Sequence, residues 1–72
     1  MRFVTFELTQ TRDVVFRVFN LRGQEVTLLS LGARAAGRHD FVWHADNLAS
    51  GVYFGQLEAG DYRMLQKLVL LK

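Results

Sequence analysis

The sequence predicts an all-β fold, a small antiparallel β-sandwich of six to seven strands, and three observations carry that expectation. Apolar residues recur with a period of two along most of the 72-residue chain. Turn-forming residues, chiefly glycine and asparagine, interrupt that alternation at intervals that suit short strands. Trp43 sits in one such alternating run, where a small sandwich uses its bulk to fill the space between sheets.

Strands are expected at about 3 to 8, 14 to 19, 24 to 30, 38 to 44, 51 to 58 and 61 to 71. In the first, Val4, Phe6 and Leu8 share a face with Thr5 and Glu7 opposite, and Phe3 is the odd one out. In the second, Val14, Phe16 and Val18 face one way, while Arg17 lies opposite between Val15 and Phe19. Such two-sided cover implies a central strand. Asn20-Leu21-Arg22-Gly23 reads as a type I turn closed by glycine in the left-handed region, reversing the chain into the third strand.

The third segment is ambiguous, because Val26, Leu28, Leu29 and Leu31 fit neither period and a short helix would serve as well. Gly32 and Gly37 bracket Ala33-Arg34-Ala35-Ala36 as a loop or single turn. Beyond it, His39, Phe41 and Trp43 form the bulky set that should face the core, with Asp40, Val42 and His44 opposite. Asp46-Asn47 opens a polar connection that Ser50-Gly51 closes. The Glu58-Ala59-Gly60-Asp61 turn is short enough to pair its flanking strands directly. Without proline, no strand is marked as an edge by that residue, and the last strand relies on Arg63 and Lys67 to discourage pairing with another chain. A flat apolar edge over residues 65 to 71 suits strand-mediated dimers.

Composition bounds the function. A chain this short is a single domain, residues 1–72, and buries only roughly 60% of the surface its unfolded form exposes. Cysteine is absent, so neither a disulfide nor a thiolate metal site supplements the core. A residue content that is 50% hydrophobic and 12% aromatic is what a dense core requires. The net charge of +2 is too small for a strong phosphate field, and Arg12, Arg17, Arg22, Arg34 and Arg38 are interspersed with Asp13, Glu25 and Asp40. They read as solvated side chains, and no nucleic-acid partner is expected.

No apolar run approaches the about 20 residues of a membrane-spanning helix. Thr5 and Glu7 interrupt any secretory core at the start, so an exported parent would carry its signal upstream, with Met1 a cloning start on an excised piece.

No enzyme is expected, because the chain lacks a nucleophile, base and pocket constellation. Ser50 precedes Gly51 but without the glycine spacing of a nucleophile elbow, and reads as a turn residue. Asp40, His44 and Asp46 match no strong metal-ligand spacing, so neither metal nor other cofactor is expected. Trp43, Tyr53, Phe54 and Tyr62 could form a platform that stacks on sugar rings, although aromatics in so small a domain usually fill its core.

The blocks Phe6-Glu7-Leu8, Val14 to Phe19, Asn20 to Val26, Ala36-Gly37-Arg38-His39 and Leu48 to Phe54, together with the closing Lys67 to Lys72, resemble one family in order. The chain is similar to the type A C-terminal sorting domain of proteins exported by the type IX secretion system. That family is related to the immunoglobulin-like domain of the flagellar hook-capping protein. Gly23, Val26, Gly37, Trp43, Ser50, Gly51, Val52, Tyr53, Leu57, Lys67 and Val69-Leu70-Leu71-Lys72 carry the likeness. His44-Ala45 stands where the hook-capping domain often has Asp-Gly after its tryptophan, which moves the resemblance towards sorting.

The resemblance implies an immunoglobulin-like sandwich and a non-catalytic role. Its partner would be the type IX machinery in the outer membrane of Bacteroidetes-like bacteria. That machinery recognises the domain in the periplasm and delivers the parent protein to the cell surface or medium, where cell-surface lipopolysaccharide is a further expected partner. The sorting-signal candidates are Gly51, Val52, Tyr53, Lys67, Val69, Leu70, Leu71 and Lys72. A free last strand can pair by its edge with a receptor through backbone hydrogen bonds. The competing expectation is a cell-attachment or carbohydrate-binding accessory module of a secreted multidomain glycoside hydrolase.

Overall fold

Alternation in the sequence becomes alternation in burial in β1 (Arg2–Leu8), where Val4, Phe6 and Leu8 are buried and Phe3, Thr5 and Glu7 are exposed. The computed structural model describes residues 2–71 as β1 followed by β2 (Arg12–Phe19), β3 (Glu25–Arg34), β4 (Gly37–Trp43), β5 (Gly51–Ala59) and β6 (Tyr62–Leu70). β1 pairs antiparallel with β4, and the other sheet runs β3-β2-β5-β6, antiparallel throughout. The fold is therefore all-β, a six-stranded sandwich in which β2 is central, as its two-sided cover predicts.

β3 is a strand and not a helix, and its confused periodicity has a structural cause. Opposite β2, Val18 pairs with Thr27 but Phe19 with Glu25, and Val15 pairs with Ser30 but Val14 with Gly32. Each shift leaves one extra residue on β3, Val26 and Leu31 respectively. A bulge of this kind resets which face a side chain takes, so Val26, Leu29 and Leu31 all pack on the core while Leu28 stays exposed. Gly32, at φ +73°, takes the left-handed conformation that such irregularities favour. Because β3 continues to Arg34, the loop expected over residues 33–36 shrinks to Ala35-Ala36.

The core is one cluster between the sheets, with Val14, Phe16, Val18, Leu57 and Trp43 at its centre. Phe41 and Trp43 of β4 make T-shaped contacts with the Phe16 ring, with centroids 5.1 and 5.7 Å away. His39 stacks on Phe6 and its Nε2 lies 2.7 Å from the Ala35 carbonyl, so the expected inward set of β4 does face β1 and β2.

The β2–β3 turn forms as its residues predict. Gly23 N–H donates to the Asn20 carbonyl at 3.0 Å, and the Asn20 side-chain oxygen accepts from the N–H groups of Arg22 and Gln24. Gly23 sits at φ +81°, where a Cβ meets nothing but the backbone strain remains. Gly23→Ala should cost roughly 1–2 kcal/mol, read as a shift of the urea midpoint at constant slope. An unchanged midpoint would show that the turn relaxes to another form.

Candidate functional site at the chain-end corner

The registers of β5 and β6 bring the sorting-signal candidates together. Gly51 lies opposite Leu70, Val52 opposite Val69, Tyr53 opposite Leu68 and Phe54 opposite Lys67. Because neighbouring residues on a strand point to opposite faces, the set divides. Tyr53 and Leu70 are buried in the core, and the Tyr53 hydroxyl donates to the Ala49 carbonyl at 2.8 Å. Lys67, Val69 and Leu71 lie on the outside, with Val52 half-buried beside them, and Leu71 is 86% exposed. Lys72, also a candidate, lies outside the described residues.

β6 is an edge strand, and its far end is partly covered. The Arg2 guanidinium reaches across from β1 and donates through Nη1 to the Val69 carbonyl at 3.1 Å. An arginine on an edge carbonyl occupies an acceptor that an added strand would otherwise use.

Two neighbours were not among the sequence candidates. A recess of about 280 Å³ joins Gly51, Val52 and Tyr53 to Leu21, Arg22 and Gln24 of the β2–β3 turn. Leu21 is 71% exposed there, on a turn that the Asn20 side chain stiffens by three hydrogen bonds. The available signal was an apolar residue at the tip of a turn, where solvent exposure is certain. Next to the corner, the outer face of the four-stranded sheet aligns Phe19, Phe54 and Lys67 across β2, β5 and β6, with Leu65 one row further on.

Arg17 anchors that face. Its Nη1 donates to Glu25 at 2.7 Å and its Nε to Glu58 at 2.6 Å, tying β2 to β3 and β5. The hydrogen bond to Glu25, then that to Glu58, raises the guanidinium pKa above its ordinary value, so the group stays charged.

The remaining sequence candidates disperse. Trp43 and Tyr53 are buried, so they cannot share an exposed platform with Phe54 and Tyr62. Asp40 accepts from the Thr5 hydroxyl at 2.8 Å, and among the described residues no three His, Cys, Asp or Glu side chains gather as a metal site. Ser50 lies in the exposed connection before β5. Arg12 and Arg34 face each other across β2 and β3, Arg38 sits opposite Glu7, and Arg22 is in the turn at the other end. Among the described residues, no helix is long and apolar enough to cross a membrane.

An edge strand, a rigid turn and an outer apolar face meet at one corner, an arrangement that can make contact with another chain. The family model described as FlgD Ig-like domain matches residues 3–64. Neither the curated proteins nor the solved structures give a match.

Proposed function

We propose, from the premise that the chain belongs to the FlgD Ig-like domain family, that this domain is a non-catalytic C-terminal sorting module. In this reading it directs its parent protein through the type IX system, across the outer membrane and to the cell surface. The observation that carries the proposal is the register that sets Gly51-Val52 beside Val69-Leu70 on an edge strand. The outward side chains of β6, and the stretch of its edge that Arg2 does not cover, supply what strand addition to a receptor requires.

Burial decides which residues can test this. Removing residues 67–72 would also remove Leu68 and Leu70, which are core side chains, and any loss of export could then be a loss of folding. Val69→Asp with Leu71→Asp alters only exposed side chains, one on β6 and one just beyond its end.

The domain is placed behind a signal peptide and a fluorescent reporter in a bacterium with a working type IX system. The expected result is surface or medium fluorescence that falls about tenfold in the double variant, the equivalent of about 1.4 kcal/mol in receptor binding. It should vanish in a secretion-deficient host, while circular dichroism of the variant stays that of the parent. Periplasmic retention of the unmodified fusion in both hosts would overturn the reading.

A further inference from the structure

A second recess, about 320 Å³ in volume, lies at the opposite end of the sandwich from the chain-end corner. Its buried floor is Leu8 and Ala59. Around it stand Glu7, Gln10, Arg12, Asp61 and Tyr62, from the end of β1, the β1–β2 connection and the β5–β6 turn.

The turn itself shapes the recess. Gly60 has φ +62° while Asp61, like every described non-glycine residue, does not have a positive φ, the pattern of a two-residue type II′ hairpin turn with glycine first. A Cβ at residue 60 would lie 3.1 Å from both Cδ and Nε of Arg12. The missing side chain therefore lets Arg12 lie flat across the turn, with its guanidinium at the rim.

The chemistry of the rim narrows the ligand. One guanidinium beside the carboxylates of Glu7 and Asp61 leaves no positive field to hold a phosphate or sulfate. Two carboxylates without further ligands do not make a cation site, in keeping with the absence of any metal-binding group among the described residues. A ligand that suits both donors and acceptors is an uncharged one rich in hydroxyls, since each hydroxyl both gives and accepts a hydrogen bond. Tyr62, 44% exposed, adds an aromatic face on which the C–H side of a sugar ring can rest. The volume is at the lower end of the about 300–1,000 Å³ typical of small-molecule sites, which suits a terminal unit rather than a long chain segment.

We propose that this recess binds a neutral sugar residue at the end of a glycan, with Tyr62 beneath the ring and Arg12, Asp61, Glu7 and Gln10 on its hydroxyls. The site is independent of the sorting reading, because it lies at the far ends of β5 and β6 from Gly51 and Leu70. One end of the domain can hold a glycan while the other meets a protein.

The test is a titration of the 15N-labelled domain with glucose, galactose, mannose, N-acetylglucosamine and their β-linked disaccharides, followed by amide chemical shifts. At least one sugar should give saturable shifts confined to residues 7–12 and 59–62. Tyr62→Ala and Asp61→Asn should each abolish them, and Tyr62→Phe should retain them, with the rest of each spectrum unchanged. Should Tyr62→Ala fail to fold, Asp61→Asn decides the question alone. No saturable shift with any of these sugars, shifts mapping elsewhere, or binding that survives Asp61→Asn would overturn the proposal. An equal response to inorganic sulfate would overturn it too, by making Arg12 a plain anion contact.

Discussion

Phe16→Ala should destabilise the domain by about 3–5 kcal/mol. The ring is 3% exposed and joins the sheets, in T-shaped contact with Phe41 and Trp43 from the other layer. Its loss removes the transfer energy of an aromatic side chain and leaves a cavity that β-sheet backbones on both sides cannot collapse to fill. At about 0.05–0.15 kcal/mol per residue, a domain of this size holds roughly 4–10 kcal/mol in total, so the variant would be near unfolding. The measurement is thermal unfolding by circular dichroism. For a domain in this size range 1 kcal/mol moves Tm by about 4–8 °C, so a fall of more than about 12 °C is expected. A fall of only a few degrees would mean that the two sheets do not pack through Phe16.

The second large effect comes from adding atoms rather than removing them. Gly55 is the central glycine of β5, and a Cβ there would sit 3.0 Å from Cε1 and Cζ of Phe16 and 3.1 Å from Cδ1 of Leu68. The Phe16 ring rests directly on the Gly55 backbone. Gly55→Ala asks those neighbours to give by a few tenths of an ångström and should cost about 1 kcal/mol. Gly55→Val adds two further methyl groups in the same place and should cost about 3 kcal/mol, the upper end of ordinary overpacking. Both values are read from urea unfolding. The mechanism is tested by combining Gly55→Ala with Phe16→Leu, where relief of the contact should make the double variant more stable than the sum of the single changes predicts. Strict additivity would point to strand propensity instead of the ring as the cause.

Much of this architecture was legible before any coordinates. Val14, Phe16 and Val18 marked one face of β2, and Arg17 between Val15 and Phe19 marked a strand covered on both sides. The Asn20–Gly23 turn followed from side chains that bond their own backbone. What stayed hidden depends on partners far away in sequence. The bulges at Val26 and Leu31 exist only relative to β2, so no local period could report them. Gly55 looked like any other strand glycine, because the Phe16 ring that requires it lies almost forty residues earlier.

The candidate corner was legible in a similar degree. The two motifs at Gly51-Val52-Tyr53 and Lys67 to Leu71 could be found one at a time, but alternation decides that Tyr53 and Leu70 serve the core while Val69 and Leu71 reach the surface. Leu21, Arg22 and the Arg2 contact belong to that corner through three-dimensional proximity alone.

The hydrogen bond from Arg2 to Val69 has a mechanical consequence. It places the start of β1 and the end of β6 at one corner, so a polypeptide fused to either end leaves from the same place. Tension between the two ends would then pull the outer strands away from their sheets one ladder bond at a time, instead of shearing a whole row together. Such a domain gives way at low force even when it melts at high temperature, and it would unravel from its last strand as a thread does from a hem.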